Sequence, residues 1–216
     1  ETVCCCDTLA SIDPASMEPL DSITAWRDSG PISGAWWSST LKCNVEVGNQ
    51  RERDALMLED FAGSLRRVTS RPMRLDFPSF SLELKPSHLI ERTSGNWDLL
   101  VVEPIHPDMA GIFIRATGLG LHSPAGLDST HLVQNVRWLA GFRFSRFAVP
   151  ASVHEYVLGG LGSPRSIRAL CARAASSTGL PRENTLAGVY RMLWDRQLVA
   201  DLESRALSDR TEVARA

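Results

Sequence analysis

Leu58, Phe61, Ala62 and Leu65 recur at i, i+3, i+4 and i+7. That spacing predicts a helix over 47–65 with a core-facing stripe. Glu52 falls one and two turns before Ala55, Leu56 and Glu59, at the edge of the stripe, so its carboxyl would point along a neighbouring sheet. The period then changes to two. "RPMRLDF" predicts a strand with Pro72 at its mouth. "SFSLEL" sets Phe80, Leu82 and Leu84 against Ser81 and Glu83, and "HLIER" extends it. "TSGN" supplies a hairpin turn. "WDLLVVEP" is a near-continuous apolar run, which predicts a central strand buried on both faces. "DMAGIFIRATGLGL" predicts a glycine-weakened helix packed on that sheet. The order is helix, three strands, helix, so the class is α/β.

From about residue 129 the pattern is helical. "THLVQNVRWLAGFRF" and "ASVHEYVLGGL" predict two helices, the second ended by its glycines. "SPRSIRALCARAA" predicts a third, with Ser163 as N-cap, Pro164 at its first position and Ile167, Leu170, Cys171 and Ala174 as its buried stripe. "NTLAGVYRMLWDRQLV" predicts the longest helix. Its buried stripe is Leu186, Tyr190, Leu193 and Trp194, and its other face is Asn184, Gly188, Arg191 and Asp195. "LVADLE" and "RTEVA" then flank "SRALSD" as a short β-ribbon. Helices followed by a ribbon predict a winged-helix-like domain, in which one helix can enter the major groove while the ribbon touches the backbone. Three regions follow: an extended arm over 1–44 anchored by Trp36 and Trp37, an α/β domain over 45–128, and a helical domain over 129–216.

Composition narrows the classes. The chain has 216 residues and a formal charge of −2, enough for one large domain or two small ones. No apolar run reaches membrane-span length, and the acidic N-terminal stretch, broken by Pro14, lacks a signal-peptide pattern. The cysteines are Cys4, Cys5, Cys6, Cys43 and Cys171. An odd count with three adjacent makes a poor disulfide framework, so free thiols in a reducing, cytoplasmic setting are expected. The charge is uneven. Residues 136–216 carry 12 Lys and Arg against 7 Asp and Glu, and the remainder carries 11 against 18. A basic C-terminal part suits a nucleic-acid surface. Arg165, Arg168 and Arg191 lie off the buried stripes and are the candidate phosphate contacts.

Three stretches carry a resemblance. "RERDALMLEDFAGSLRRVTSRPMRLDF" resembles the opening of TnsA-like transposase endonuclease subunits of the actinobacterial group, which have a helix beginning "ERD", an "LDF"-like end and a "QP" before the first strand; here that pair is Arg71-Pro72. "QNVRWLAGFRFSR" resembles their "N-[LV]-R-W-L-A-G-[YF]-R" segment. "VYRMLWDRQLVADLESRALSDRTEV" resembles their closing segment. The resemblance spans about 45–213. It implies a restriction-endonuclease-like αβββαβ core followed by the winged-helix-like domain. It also implies a heteromeric subunit that nicks double-stranded DNA at a transposon end beside an integrase-type transposase. The family's active site follows a Pro-Asp, then Asp/Glu/Gln-x-Lys pattern. Its carboxylates hold Mg²⁺ to polarise the scissile phosphate and activate water, and its lysine stabilises developing charge.

Two registers compete for that pattern. In the first, which the gaps and the turn favour, Pro86-Ser87 takes the place of Pro-Asp. Val101 and Glu103 then take the places of the acid and the lysine, and Glu52 alone remains. The centre is degenerate and the chain a pseudoenzyme that binds DNA or a transposase partner. In the second, Asp76 is the first acid and "ELK" supplies Glu83 and Lys85. A turn around Pro78-Ser79 would set Asp76 beside Glu83, and Glu52, Asp76 and Glu83 would ligate Mg²⁺ in an active endonuclease. A third reading is a winged-helix DNA-binding regulator with a protein-binding N-terminal domain. His88, His106, His122, His131 and His154 show no metal spacing and read as core or surface residues. Trp97, Trp138 and Trp194 read as core.

Overall fold

The computed structural model describes residues 13–20, 34–77 and 82–216, with the backbone alone for 3, 4, 82, 115 and 116. The thiols of Cys4, Cys5 and Cys6 and the turn at Pro78-Ser79 lie outside the described residues. The chain divides into two compact units, Glu1–Ala125 and Gly126–Ala216.

The first unit opens with a two-residue strand, β1 (Val3–Cys4), and a 3-10 turn at Pro14–Ser16. Strands β2 (Gly34–Ser38) and β3 (Cys43–Val47) form an antiparallel hairpin. It stands where the sequence predicts the end of an extended arm. Trp36 does anchor there, since its indole nitrogen donates to Asp60 at 3.2 Å.

Helix α1 runs Gln50–Ala62, shorter than the predicted 47–65. Asn49 caps its start through the Glu52 amide, and Gly63 ends it in the left-handed region at φ 67°, where a side chain would be strained. Leu65 therefore starts a strand and does not extend the helical stripe. Ala62 is exposed, whereas Glu52, Asp54, Glu59 and Asp60 are buried. Burial of these acids has a physical cause: α1 bonds the β2–β3 hairpin through Asp60 and the main sheet through Glu59.

That sheet is built from β4 (Leu65–Ser70), β7 (His88–Arg92), β8 (Trp97–Leu100) and β9 (Gly120–His122), in the order β4-β7-β8-β9. The strands β4, β7 and β8 are antiparallel, and β9 returns parallel to β8 after helix α2 (Pro107–Thr117). β5 (Arg74–Phe77) and β6 (Leu82–Leu84) form a separate antiparallel hairpin, with β1 parallel to β5. Three sequence expectations change accordingly. The first strand of the main sheet is "LRRVTS", "HLIER" is a strand of its own, and the glycine-rich 118–122 stretch is outside the helix. Leu75, Phe77 and Leu84 of the hairpin pack with Leu89, Leu99 and Val101 of the sheet and with Met109 and Phe113.

The second unit begins with α3 (Thr130–Ala140), capped by Ser129, and α4 (Ala151–Gly159). Strand β10 (Arg165–Ser166), α5 (Ile167–Thr178) and α6 (Arg182–Trp194) follow, then β11 (Leu198–Ala200) and β12 (Glu212–Arg215). The sheet order is β10-β12-β11, antiparallel throughout. Ile167, Leu170, Cys171 and Ala174 are buried as their spacing predicts. The cap of α5 is Ser166, whose hydroxyl accepts from the Ala169 amide at 3.3 Å, and not Ser163. Pairing of Arg165 and Ser166 with β12 keeps the chain extended until that point. Gly188 is also buried, because Val149 lies against it. A Cβ there would meet the Val149 methyl at 1.9 Å. Among the described residues no helix is long and apolar enough to cross a membrane.

Candidate functional site

Ser87 precedes β7 and Val101 follows β8. Because His88 pairs with Leu100, both fall at one end of adjacent strands. The Ser87 amide and hydroxyl both donate to the Leu100 carbonyl, at 2.9 and 3.0 Å. The N-terminus of α1 is fastened to the same end, where Arg51 Nε donates to the Val102 carbonyl at 2.7 Å. A cavity of about 300 Å³ opens here, lined among others by Glu52, Arg71, Arg74, Lys85, Ser87 and Glu103. The structure thus brings Glu52, Lys85, Ser87 and Glu103 to one place.

Their chemistry differs from that of a metal centre. Glu52 is 8% exposed. Its Oε2 accepts from the Gly48 amide at 2.6 Å and its Oε1 from the Asn49 side chain at 3.1 Å. Asn49 in turn accepts from the Glu52 amide at 2.9 Å. This reciprocal pattern is a capping box, and it commits the carboxylate to N–H donors. The Ser87 hydroxyl hydrogen is likewise committed to Leu100. Val101 points into the core beside Leu99, because strand alternation sends both to the α2 face, so the branch that lines the cavity is Val102. A hard divalent ion needs several oxygen ligands. The carboxylates lining this cavity are Glu103 and a Glu52 already engaged by two N–H donors, a poor fit to Mg²⁺.

The second register is half realised. Asp76 and Glu83 are direct cross-strand partners in β5 and β6. Glu83, however, faces cations: its Oε1 lies 2.9 Å from Lys85 Nζ and 3.2 Å from Arg74 Nε. The Lys85 hydrogen bond, with help from Arg74, holds the exposed Glu83 carboxyl below its ordinary range. Asp76 and Glu83 do not line the cavity that holds Glu52. Among the described residues no three His, Cys, Asp or Glu side chains are grouped to hold a metal.

Several residues at or near this end escape sequence reasoning. Arg71 has φ 44°, sparsely allowed for a side chain, and its buried guanidinium lies 3.8 Å from the Glu46 carboxylate. Its amide donates to the Ser87 carbonyl at 2.7 Å, which holds the strained residue against the cavity wall. His88 is fully buried, with Nε2 donating to the Glu46 carbonyl at 2.8 Å. Desolvation pushes its pKa down to about 4. Glu59 accepts from His122 Nε2 at 2.6 Å and from Arg92 at 2.8 Å, and Arg92 also reaches Asp98 at 2.5 Å. Burial would raise the Glu59 carboxyl, but the bonds from His122 and Arg92 outweigh it and hold it below the ordinary range. Glu59 meets Arg92 of β7 and His122 of β9 only through long-range packing of α1 on the sheet, which no local spacing encodes.

In the second unit the three candidate arginines part company. Arg168 is exposed on α5. Arg165 is half-buried on β10. The Arg191 side chain is 17% exposed, pairs with Asp195 at 2.6 Å and donates to the Arg143 carbonyl, so it ties two segments of the unit together. Trp138 is a correction, being 57% exposed and not core. Asn135, buried on α3, donates to the Leu202 and Arg205 carbonyls at 2.9 and 2.7 Å and accepts from the Leu207 amide at 2.7 Å. The segments "QNVRWLAGFRFSR" and "DLESRALSD" are therefore joined through one side chain. No protein-family model matches the sequence, and a search of curated proteins returns no match.

Proposed function

We propose that the chain is a TnsA-like transposase subunit whose nuclease centre is degenerate, and that it binds double-stranded DNA and an integrase-type transposase partner without cutting. One observation carries this reading. The element order α1, β4, β7, β8, α2, β9 reads αβββαβ with the β5–β6 hairpin inserted, which supports a restriction-endonuclease-like core. Ser87 and Glu103, two of the positions that the resemblance assigns to the chemistry, line one cavity with a capped Glu52, while the third, Val101, faces the core. The Asn135 clamp between the two most specific resembling segments supports it further.

The winged-helix regulator remains a second reading, favoured by its own observation. It is supported by the succession α4, β10, α5, α6, β11, β12 with sheet order β10-β12-β11, helices followed by a ribbon. In both readings the second unit touches DNA, through the exposed Arg168 and the β11–β12 ribbon. The full chain should bind labelled duplex in fluorescence anisotropy with affinity falling as salt rises. Arg168→Ala should flatten the log–log salt slope by about 0.9, the share of one phosphate contact. Absence of duplex binding at low salt would contradict both readings of this unit.

A further inference from the structure

The residues from 129 to 154 contain three arginines, Arg137, Arg143 and Arg146, and no Asp or Glu. They also contain Trp138, Phe142, Phe144 and Phe147. In the structure Trp138, the three phenylalanines, Arg143 and Arg146 gather in one cluster of the second unit. Phe142 joins Phe147 at 5.2 Å and Tyr190 at 4.9 Å between ring centroids, and Trp138 meets the Tyr190 ring edge-on at 6.2 Å. Arg143 lies over Phe144 at 4.4 Å, and Arg146 over Phe144 and Phe147 at 5.2 and 4.9 Å. Trp138 is 57% exposed and Arg146 is exposed. An exposed indole is costly to leave in water, and here its ring neighbours Phe142 and Tyr190 link it to the rings that Arg143 and Arg146 cover.

The same segment covers α6. Val149 is seated on Gly188, and Arg191 donates to the Arg143 carbonyl. The middle of α6, the helix a winged-helix reading would offer to a major groove, is thus occupied by the protein's own chain. Beside it, Arg146, Phe147, Val149 and Pro150 face Asn184 and Ala187 across a cavity of about 380 Å³, within the range of small-ligand pockets.

We infer that this arginine–aromatic surface binds an unpaired nucleic-acid strand. The Trp138 ring stacks on a base, Arg146 meets the backbone phosphates, and the Asn184 amide faces the cavity where a base edge can be read. The charge excludes a cationic partner. The pairing of flat rings with arginines is the combination that holds single strands, where stacking supplies sequence-tolerant affinity. An acidic protein would use the charge but leave the exposed indole without a planar partner. The inference rests on the reading of Gly126–Ala216 as a nucleic-acid-binding unit, and it adds a second surface distinct from Arg168 and the ribbon.

The test is anisotropy of a labelled oligo-dT with the full chain, set beside the duplex titration. Oligo-dT should bind at low salt. Trp138→Ala should weaken it about tenfold, and Trp138→Phe should retain most of the affinity. Arg146→Gln should flatten its salt slope by about 0.7. Both positions are exposed, so thermal melts of the variants should match the parent; if Trp138→Ala alone fails to fold, Arg146→Gln decides. None of these changes should alter the duplex salt slope, which Arg168→Ala reports separately. No oligo-dT binding at low salt, binding indifferent to Trp138→Ala in a folded protein, or displacement of oligo-dT by polyglutamate at equal charge would each overturn the inference.

Discussion

Asp60→Ala should destabilise the first unit by about 4 kcal/mol, on the scale of stranding a buried charge's hydrogen-bond partners. Asp60 is 2% exposed. Its carboxylate accepts from Trp36 Nε1 at 3.2 Å, the Ser38 hydroxyl at 2.8 Å, and the Ser39 and Thr40 amides at 2.9 and 3.0 Å. Truncation leaves three buried donors and the part-buried Thr40 amide facing an apolar methyl. The β2–β3 hairpin would lose its fastening to α1, and with it the placement of Gly48 and Asn49 around Glu52. Asp60→Asn keeps one acceptor oxygen and should lose about half as much. Urea unfolding curves measure both. An unchanged midpoint for Asp60→Ala would show that the hairpin does not depend on this carboxylate.

Acid should weaken the first unit through His88. A free imidazole titrates near 6.5, whereas burial holds this one at about 4. Between those values the folded state binds fewer protons than the unfolded state, so its stability falls as pH falls. His88 contributes in full above pH about 6.5, and the loss is complete below pH about 4. The gap between the free and the buried imidazole makes that loss about 3 kcal/mol. Glu59 acts in the same direction at lower pH, because His122 and Arg92 favour its charged form. His88→Gln removes the imidazole and should flatten the stability curve between pH about 6.5 and about 4. A curve as steep in His88→Gln as in the parent would remove His88 as the cause.

Much of the second unit was legible in the sequence because its helices are one-sided. The Ile167, Leu170, Cys171, Ala174 stripe is buried as its spacing predicts, and the ribbon follows the helices in the predicted order. The first unit was harder. Helix α1 is buried on two sides, so its acids sit where a stripe would place apolar residues, and Glu59 and Asp60 give no local sign of their partners. The four-stranded sheet begins at "LRRVTS", whose two arginines disguise the strand. Short strands such as Leu82–Leu84 and Gly120–His122 are set by long-range pairing, which a period of two over three residues cannot reveal. At the candidate site the sequence identified Glu52, Ser87 and Glu103, which do meet. It gave no sign that Val101 turns into the core beside Leu99, or that an i, i+4 aspartate and a distant carbonyl both engage the Arg191 guanidinium. It misjudged Trp138 by taking an apolar ring at helical spacing for core.

The central claim is a nuclease-like centre without its chemistry. Its most direct measurement is nicking of supercoiled plasmid by the full chain in Mg²⁺ and in Mn²⁺, with and without an integrase-type transposase. The capped Glu52, the hydrogen-bonded Ser87 and the core-facing Val101 predict no nicking by the chain with either metal, and no added strand cut when the transposase is present. Metal-dependent nicking that disappears in Lys85→Ala would contradict the account and assign the chemistry to Asp76, Glu83 and Lys85.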